Sequence, residues 1–351
     1  MHFPGCASVR RANGTVIRPR ETDFNSSSNW DSTTLLLLLE EWSLTPTGTN
    51  TKMFLISPVI CLVAGVLIIP TILFVIFSQF KIRQETRYML LGNALLFDLI
   101  YLLFYTLSAA LNAAYLNLPK EACVLLLFLL AVAYCGGLFT AVAIVLDTYI
   151  AVLFPLRYVV ILPPSRTKKI IVLLWMCSGV FPGIFFLVLW TTNSFVPCAL
   201  ETCSVPVMLI LALNGTDVVK LCFWLSTTFV ILCLSVIFCC YAILYFKTKH
   251  SGIWESICSR ASVTFLMHNT VLFFYFFPLL ALFVESFLCI NVIKLQRGIL
   301  VSLTVCNVLT ILPKVLFPFL YGLRYREISA SLKSIVRRKQ LRLVSPAPPP
   351  S

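Results

Sequence analysis

Long apolar stretches alternate with short polar connections along most of this chain. The clearest lies within Cys123–Tyr158, CVLLLFLLAVAYCGGLFTAVAIVLDTYIAVLFPLRY, which stays uncharged for more than twenty residues until Asp147. At about 1.5 Å per residue, Cys123 to Asp147 is roughly 36 Å of helix, and a bilayer's hydrocarbon core is about 30 Å thick. The pattern predicts a helix that crosses a membrane, with Cys123 at one face and Asp147-Thr148-Tyr149 at the other. Seven such segments recur, at about Phe54–Phe80, Tyr88–Leu116, Cys123–Phe154, Ile170–Trp190, Val218–Phe246, Val263–Ile290 and Gly298–Tyr321. The later ones are less pure, since they hold Lys220, His268, Glu285 and Lys314. Arg324 to Gln340 alternates apolar and basic residues, as a short helix lying on a membrane surface does. The expected fold is an all-α membrane protein, a seven-transmembrane helix bundle with a short amphipathic C-terminal helix. Its expected divisions are a disordered tail over 1–52, the bundle over 53–322, and the amphipathic helix and tail over 323–351.

Composition narrows the class. Of 351 residues, 59% are apolar and 12% charged, and a soluble domain carries about twice that charge. The net charge of +13 does not point to nucleic acid, because the basic residues form no single patch. They collect in short loops beside the apolar runs, where Lys and Arg report topology. One set of connections holds Lys81, Arg83 and Arg87; Arg157, Arg166, Lys168 and Lys169; Lys247, Lys249 and Arg260; and seven more from Arg324 to Arg342, seventeen in all. The opposite set, with the long N-terminal tail, holds nine. The richer set is expected to be cytoplasmic, and an odd number of spans then puts the N-terminus outside. The sequons at Asn13, Asn25 and Asn214 all fall on that outer side, where glycosylation is expected. No basic, apolar and small-residue leader opens the chain, so the first spanning helix is expected to act as the targeting signal. The expected location is the plasma membrane.

Fourteen cysteines fall mostly inside apolar runs, where a cysteine behaves as a small hydrophobe. Cys6, Cys123, Cys198, Cys203, Cys222 and Cys289 lie near predicted outer loops. No cluster of His, Cys and Asp has metal-ligand spacing, and no phosphate loop or nucleophile motif appears, so neither a cofactor nor catalysis is expected. Asp98 and Lys314 stand out because an ionisable residue inside a membrane helix needs a partner.

Ordered motifs carry a resemblance to rhodopsin-like G-protein-coupled receptors over roughly 54–337. They are Asn93 and Asp98 in LLGNALLFDL, Cys123 at the outer end of the third helix, Asp147-Thr148-Tyr149 where the family has Asp-Arg-Tyr, Trp175, Tyr241, Pro278, and Phe317-Pro318-Phe319-Leu320-Tyr321 in place of Asn-Pro-x-x-Tyr. PLRY at 155–158, SRASVTFLMH at 259–268 and LYGLRYREI at 320–328 are similar to odorant receptors, while SGIW at 251–254 followed by SRA at 259–261 is similar to an orphan receptor of the same class.

The resemblance implies a disulfide from Cys123 to the long loop at 191–217. Cys198 and Cys203 are both candidates; Cys198 is favoured because VPCA resembles the odorant-receptor loop, which leaves Cys203 and Cys222 for a second bridge. It implies a switch and G-protein-coupling set at Asp147, Thr148, Tyr149, Tyr241, Pro278, Pro318 and Tyr321. Thr148 lacks the charge of the family's arginine, and the inner end of the sixth helix lacks the usual acid, so the family's resting ion pair is absent. Asp147 with Arg157 is the expected local substitute. In the family the second-helix aspartate helps bind sodium with polar neighbours, which here correspond to Gly137 and Phe317. Lys314, one turn before Pro318, is expected to pair with Asp98 as a built-in counter-ion; the alternative is a side chain that snorkels or faces a wet cavity. Pro70 stands where the first-helix asparagine belongs. Pro278 is expected to kink the sixth helix, and FFYFFP replaces the tryptophan-centred motif of many receptors with stacked aromatics, either as plain lipid-facing or core packing or with Phe277 or Tyr275 as a toggle.

The expected function is that of an orphan receptor passing the binding of an extracellular ligand, small and apolar or odorant-like, to a heterotrimeric G protein. The alternative is a non-signalling seven-helix decoy or heteromerisation partner, since the third-helix Arg and seventh-helix Asn are altered. A transporter would need inverted repeats, and none is evident.

Overall fold

The structure, a computed structural model, describes residues 48–114, 116, 118–192, 203, 216–250, 308–316 and 318, and all regular structure among them is helical. The elements are α1 (Gly48–Ser78), α2 (Phe80–Arg83), α3 (Thr86–Ala113), α4 (Lys120–Leu153), α5 (Tyr158–Ile161), α6 (Pro164–Thr191) and α7 (Asp217–His250), followed by helical residues at 308–316. Five of these helices are long and apolar enough to cross a membrane: Leu55–Ser78, Thr86–Ala113, Glu121–Leu153, Pro164–Thr191 and Asp217–Cys240. They fall on the first five apolar segments of the sequence, although α1 begins at Gly48, ahead of Phe54. The sixth segment, the amphipathic stretch and the N-terminal tail as far as residue 47 lie outside the described residues, as does most of the seventh segment.

Helix is the form these runs must take, because hydrocarbon offers no partner to an open backbone N–H or C=O. Their ends are set by local chemistry. Gln79 leaves α1 in an extended conformation (φ −102°, ψ 112°) and α2 begins directly after it. Pro119 precedes α4, and Pro163 precedes α6, which opens on Pro164. A proline there gives up an N–H that the first turn has no use for.

The central element is α4, which packs against α3, α6 and α7. Half of its most apolar window is buried, against 17% for α6, so α4 is the core rod and α6 a peripheral one. Glycine allows the closest approach. The Phe97 ring of α3 fills the space where a Cβ on Gly136 would stand. That ring also stacks on Trp175 of α6, with centroids 4.2 Å apart. A second cluster, with Ile69, Leu91, Leu95, Leu102, Leu138 and Ile311, joins α1, α3, α4 and the 308–316 segment. The opposite faces of α1 and α6 expose Ile60, Leu67, Phe74, Val172, Met176 and Leu187, a surface suited to lipid rather than water. Pro70 lies inside α1 on that exposed face, so it leaves no gap in the core; the buried neighbour is Ile69.

Candidate functional site

Polar side chains interrupt this apolar packing at four levels along α3 and α4. At the first, Asp98 of α3 meets Lys314 of the 308–316 segment, with Nζ 2.8 Å from Oδ1. Both are buried, at 6% and 2% exposure. The ammonium also lies over the Tyr101 ring, 4.5 Å from its centroid, and 5.8 Å from that of Tyr134. A carboxylate on one side and aromatic faces on the other replace much of the hydration that burial removes. No bound ion is needed to balance Asp98, because the counter-charge is part of the chain. Gly137, one of the two positions matched to the family's sodium neighbours, lies in α4; the side chain of Phe317 is outside the described residues.

Next to this pair, a relay joins three helices. The Trp175 Nε1–H of α6 donates to Asn93 Oδ1 at 2.9 Å, and Asn93 Nδ2 donates to Thr140 Oγ1 of α4, also at 2.9 Å. The Thr140 hydroxyl in turn donates to the Gly136 carbonyl.

At the Asp147 end, the Tyr158 hydroxyl of α5 donates to Asp147 Oδ1 at 2.7 Å. The other carboxylate oxygen is buried without a hydrogen bond, and Arg87 Nε of α3 stands 4.0 Å from it. Asp147 is 2% exposed, while the Arg87 side chain is 43% exposed. Burial first, then the adjoining Asp147 carboxylate, push the Tyr158 phenol well above its ordinary range, so it stays a donor at any physiological pH. Thr86 and Thr167 share a hydrogen bond of 2.9 Å beside it and tie α3 to α6. Asp147 therefore takes Tyr158 and Arg87 as partners, which corrects the expectation of Arg157. The reason is reach: Tyr158, the first residue of α5, extends its hydroxyl to the buried carboxylate eleven positions earlier in the chain. Thr148 donates its hydroxyl to the Ile144 carbonyl of its own helix, and Tyr149 beside it is half-buried.

At the Cys123 end, the disulfide runs to Cys203, with Cα atoms 5.7 Å apart. This corrects the choice of Cys198, which lies outside the described residues. It also removes the second bridge between Cys203 and Cys222, since Cys203 is taken and Cys222 is a free thiol. Side chains of α3 that the sequence did not single out hold the Cys203 backbone at this point. Asn112 Nδ2 donates to the Cys203 carbonyl at 2.8 Å, and the Cys203 N–H donates to Asn112 Oδ1 at 3.0 Å. The Ser108 hydroxyl donates to the same carbonyl at 2.7 Å. Cys123 and Cys203 are then buried together with Leu126, Leu127, Leu189 and Val219.

Of the remaining sequence-predicted residues, Pro318 is buried, and Tyr241 lies in α7 with its side chain outside the described residues. Pro278, Tyr321, Asn13, Asn25, Asn214, Tyr275 and Phe277 also lie outside them. Thr140, Tyr158, Arg87, Ser108 and Asn112 were given no role by sequence reasoning. Only Tyr158 carried a signal, as the last residue of the PLRY motif next to the third segment.

Among the described residues the chain is a set of helices of membrane-spanning length, with α3 tied to the 308–316 segment and α4 bridged near its start to Cys203, and its sequence resembles rhodopsin-like G-protein-coupled receptors. It is 29% identical to the human probable G-protein coupled receptor 148 over 269 residues, 74% of this chain and 75% of that protein. It is 25% identical to human olfactory receptor 4N5 over 261 residues, 71% of this chain and 79% of the other. With human olfactory receptor 4K2 the identity is 25% over 265 residues, 73% and 79% of the two chains. No family model matches the chain.

Proposed function

We propose that this protein is a seven-helix receptor of the plasma membrane that couples the binding of an extracellular ligand to a heterotrimeric G protein. The observation that carries the reading is the ion pair between Asp98 and Lys314, residues 216 positions apart. It brings the described part of the last apolar segment against the second spanning helix, which supports a closed bundle. Similarity to proteins named as receptors, over about three-quarters of the chain, supports the same reading. In this proposal residues 1–52 are an outer glycosylated tail, 53–322 the bundle, and 323–351 an inner amphipathic helix and tail. A ligand between the outer helix halves acts by its differential affinity for two packings of the bundle. Repacking then changes the cytoplasmic face around Asp147, Thr148 and Tyr149.

A second reading, a non-signalling decoy or heteromerisation partner, is favoured by Thr148. Its hydroxyl is turned back onto Ile144, so the side chain extends no charge toward a partner. The experiment is a G-protein activation screen at graded surface expression, run on the wild type and on Thr148→Arg. Weak coupling in the wild type and a clear gain in the variant support a receptor with a modified coupling face. Silence from both at matched surface levels supports the decoy. Strong and equal signalling from both overturns any special role for Thr148. An N-terminal epitope hidden on intact cells would overturn the orientation itself.

A further inference from the structure

The outer loop offers Cys123 more than one partner, and chain statistics do not choose between them. The separation to Cys203 is 80 residues, and that to Cys198 is 75. Closure probability falls roughly as the three-halves power of loop length, so the two differ by only about 10%. The selection must come from contacts made before or during oxidation. The structure contains such contacts, and they engage the backbone of Cys203 rather than its sulfur. Asn112 pairs with both the N–H and the C=O of that residue, and Ser108 donates to the same C=O. Ser108 is 7% exposed and sits one turn before Asn112 on α3, so both groups present to one spot. Cys123, in the first turn of α4, stands directly across. The Cys203 peptide is thus seated by three hydrogen bonds whose formation does not require the S–S bond.

We propose that Asn112 and Ser108 are positioning residues that select Cys203 as the partner of Cys123. They hold the loop backbone at the end of α3 until the disulfide forms, and they keep it there if the disulfide is reduced. An amide side chain reads a peptide group through one donor and one acceptor, so it recognises an extended backbone of any sequence. That is why the pairing does not follow the side-chain motif around Cys198. Three shared hydrogen bonds, one buried and two partly buried, favour the seated loop by tenfold to a hundredfold, at about 1 kcal/mol or somewhat less for each. This outweighs the difference in loop length by a wide margin. The inference concerns assembly of the fold and holds whether or not the protein signals.

The test uses the full-length protein in its native membrane, with disulfides mapped by mass spectrometry of peptides prepared without reduction. The wild type is expected to yield the Cys123–Cys203 peptide. In the double variant Ser108→Ala/Asn112→Leu, the ratio of Cys123–Cys203 to Cys123–Cys198 is expected to fall at least tenfold. Asn112→Asp keeps the acceptor for the Cys203 N–H but loses the donor, and is expected to fall between the two. An unchanged ratio in the double variant overturns the proposal. A second measurement removes the disulfide altogether. In Cys123→Ala, the rate at which a maleimide labels Cys203 reports whether the clamp alone protects it. Adding Ser108→Ala/Asn112→Leu to that background is expected to raise the rate at least tenfold, and equal rates overturn the clamp.

Discussion

Two aspartates on neighbouring helices, Asp98 and Asp147, are buried to nearly the same degree, yet they are satisfied in opposite ways. Asp98 faces an ammonium at 2.8 Å that is itself buried and backed by tyrosine rings. Asp147 has one oxygen on a phenol and the other without a hydrogen bond among the described residues, 4.0 Å from the guanidinium of a side chain that is 43% exposed. The first arrangement is complete within the bundle. The second depends on a residue of the short helix α5 and on an exposed residue of α3. The difference teaches that the Asp98 charge is balanced inside the bundle, whereas Asp147, at the end proposed to face the cytosol, is only half satisfied.

The largest effect should come from breaking the complete pair on one side. Lys314→Ala leaves a buried carboxylate without its cation, and about 3–5 kcal/mol of stability should go with it. Thermal melting of the detergent-solubilised protein, together with surface expression, reads this out. The double variant Asp98→Asn/Lys314→Ala should recover much of the loss. If it melts no higher than the single variant, the two groups are not coupled and the contrast between the aspartates collapses.

A smaller effect is expected from Tyr158→Phe, which removes the phenol donor and leaves both Asp147 oxygens without a hydrogen bond. A buried acceptor left unpaired costs about 1–3 kcal/mol. Asp147→Asn sharpens the comparison, because it removes the charge that the site only half satisfies. It should cost less than Asp98→Asn, which strands a buried lysine. Equal melting temperatures for the two Asn variants would erase the distinction.

The smallest effect belongs to Arg87→Gln. At 4.0 Å, with Arg87 43% exposed, the pair is worth about 0–1 kcal/mol and weakens as salt screens it. A melting shift larger than that of Tyr158→Phe would mean that the guanidinium, and not the phenol, holds this end.

Much of the architecture can be read from the chain because lipid imposes a simple rule. Uncharged runs of membrane length must be helices, and charges inside them must find company. Asp98 and Lys314 are conspicuous for that reason, and the structure puts them in contact. Asn112 and Ser108 are not conspicuous, since polar residues near a helix end ordinarily face water or a headgroup. Nothing local says that a peptide more than ninety positions along the chain will sit on them. Tyr158 fails to declare itself for a similar reason. Its role depends on how the chain after α4 brings its hydroxyl to Asp147, a feature of loop geometry rather than of hydrophobic period. The preference for Cys198 over Cys203 fails at the same point, because a side-chain motif says nothing of the backbone contacts that Ser108 and Asn112 make with Cys203.

The lysine tethered opposite Asp98 also bears on how the protein responds to voltage. A free cation that entered or left such a pocket would carry charge through part of the membrane field, at about 2.3 kcal/mol per elementary charge per 100 mV for a full crossing. Two opposite charges fixed on the same bundle and 2.8 Å apart move together when the helices repack, and they transfer almost nothing. The membrane potential should therefore have little hold on this pair.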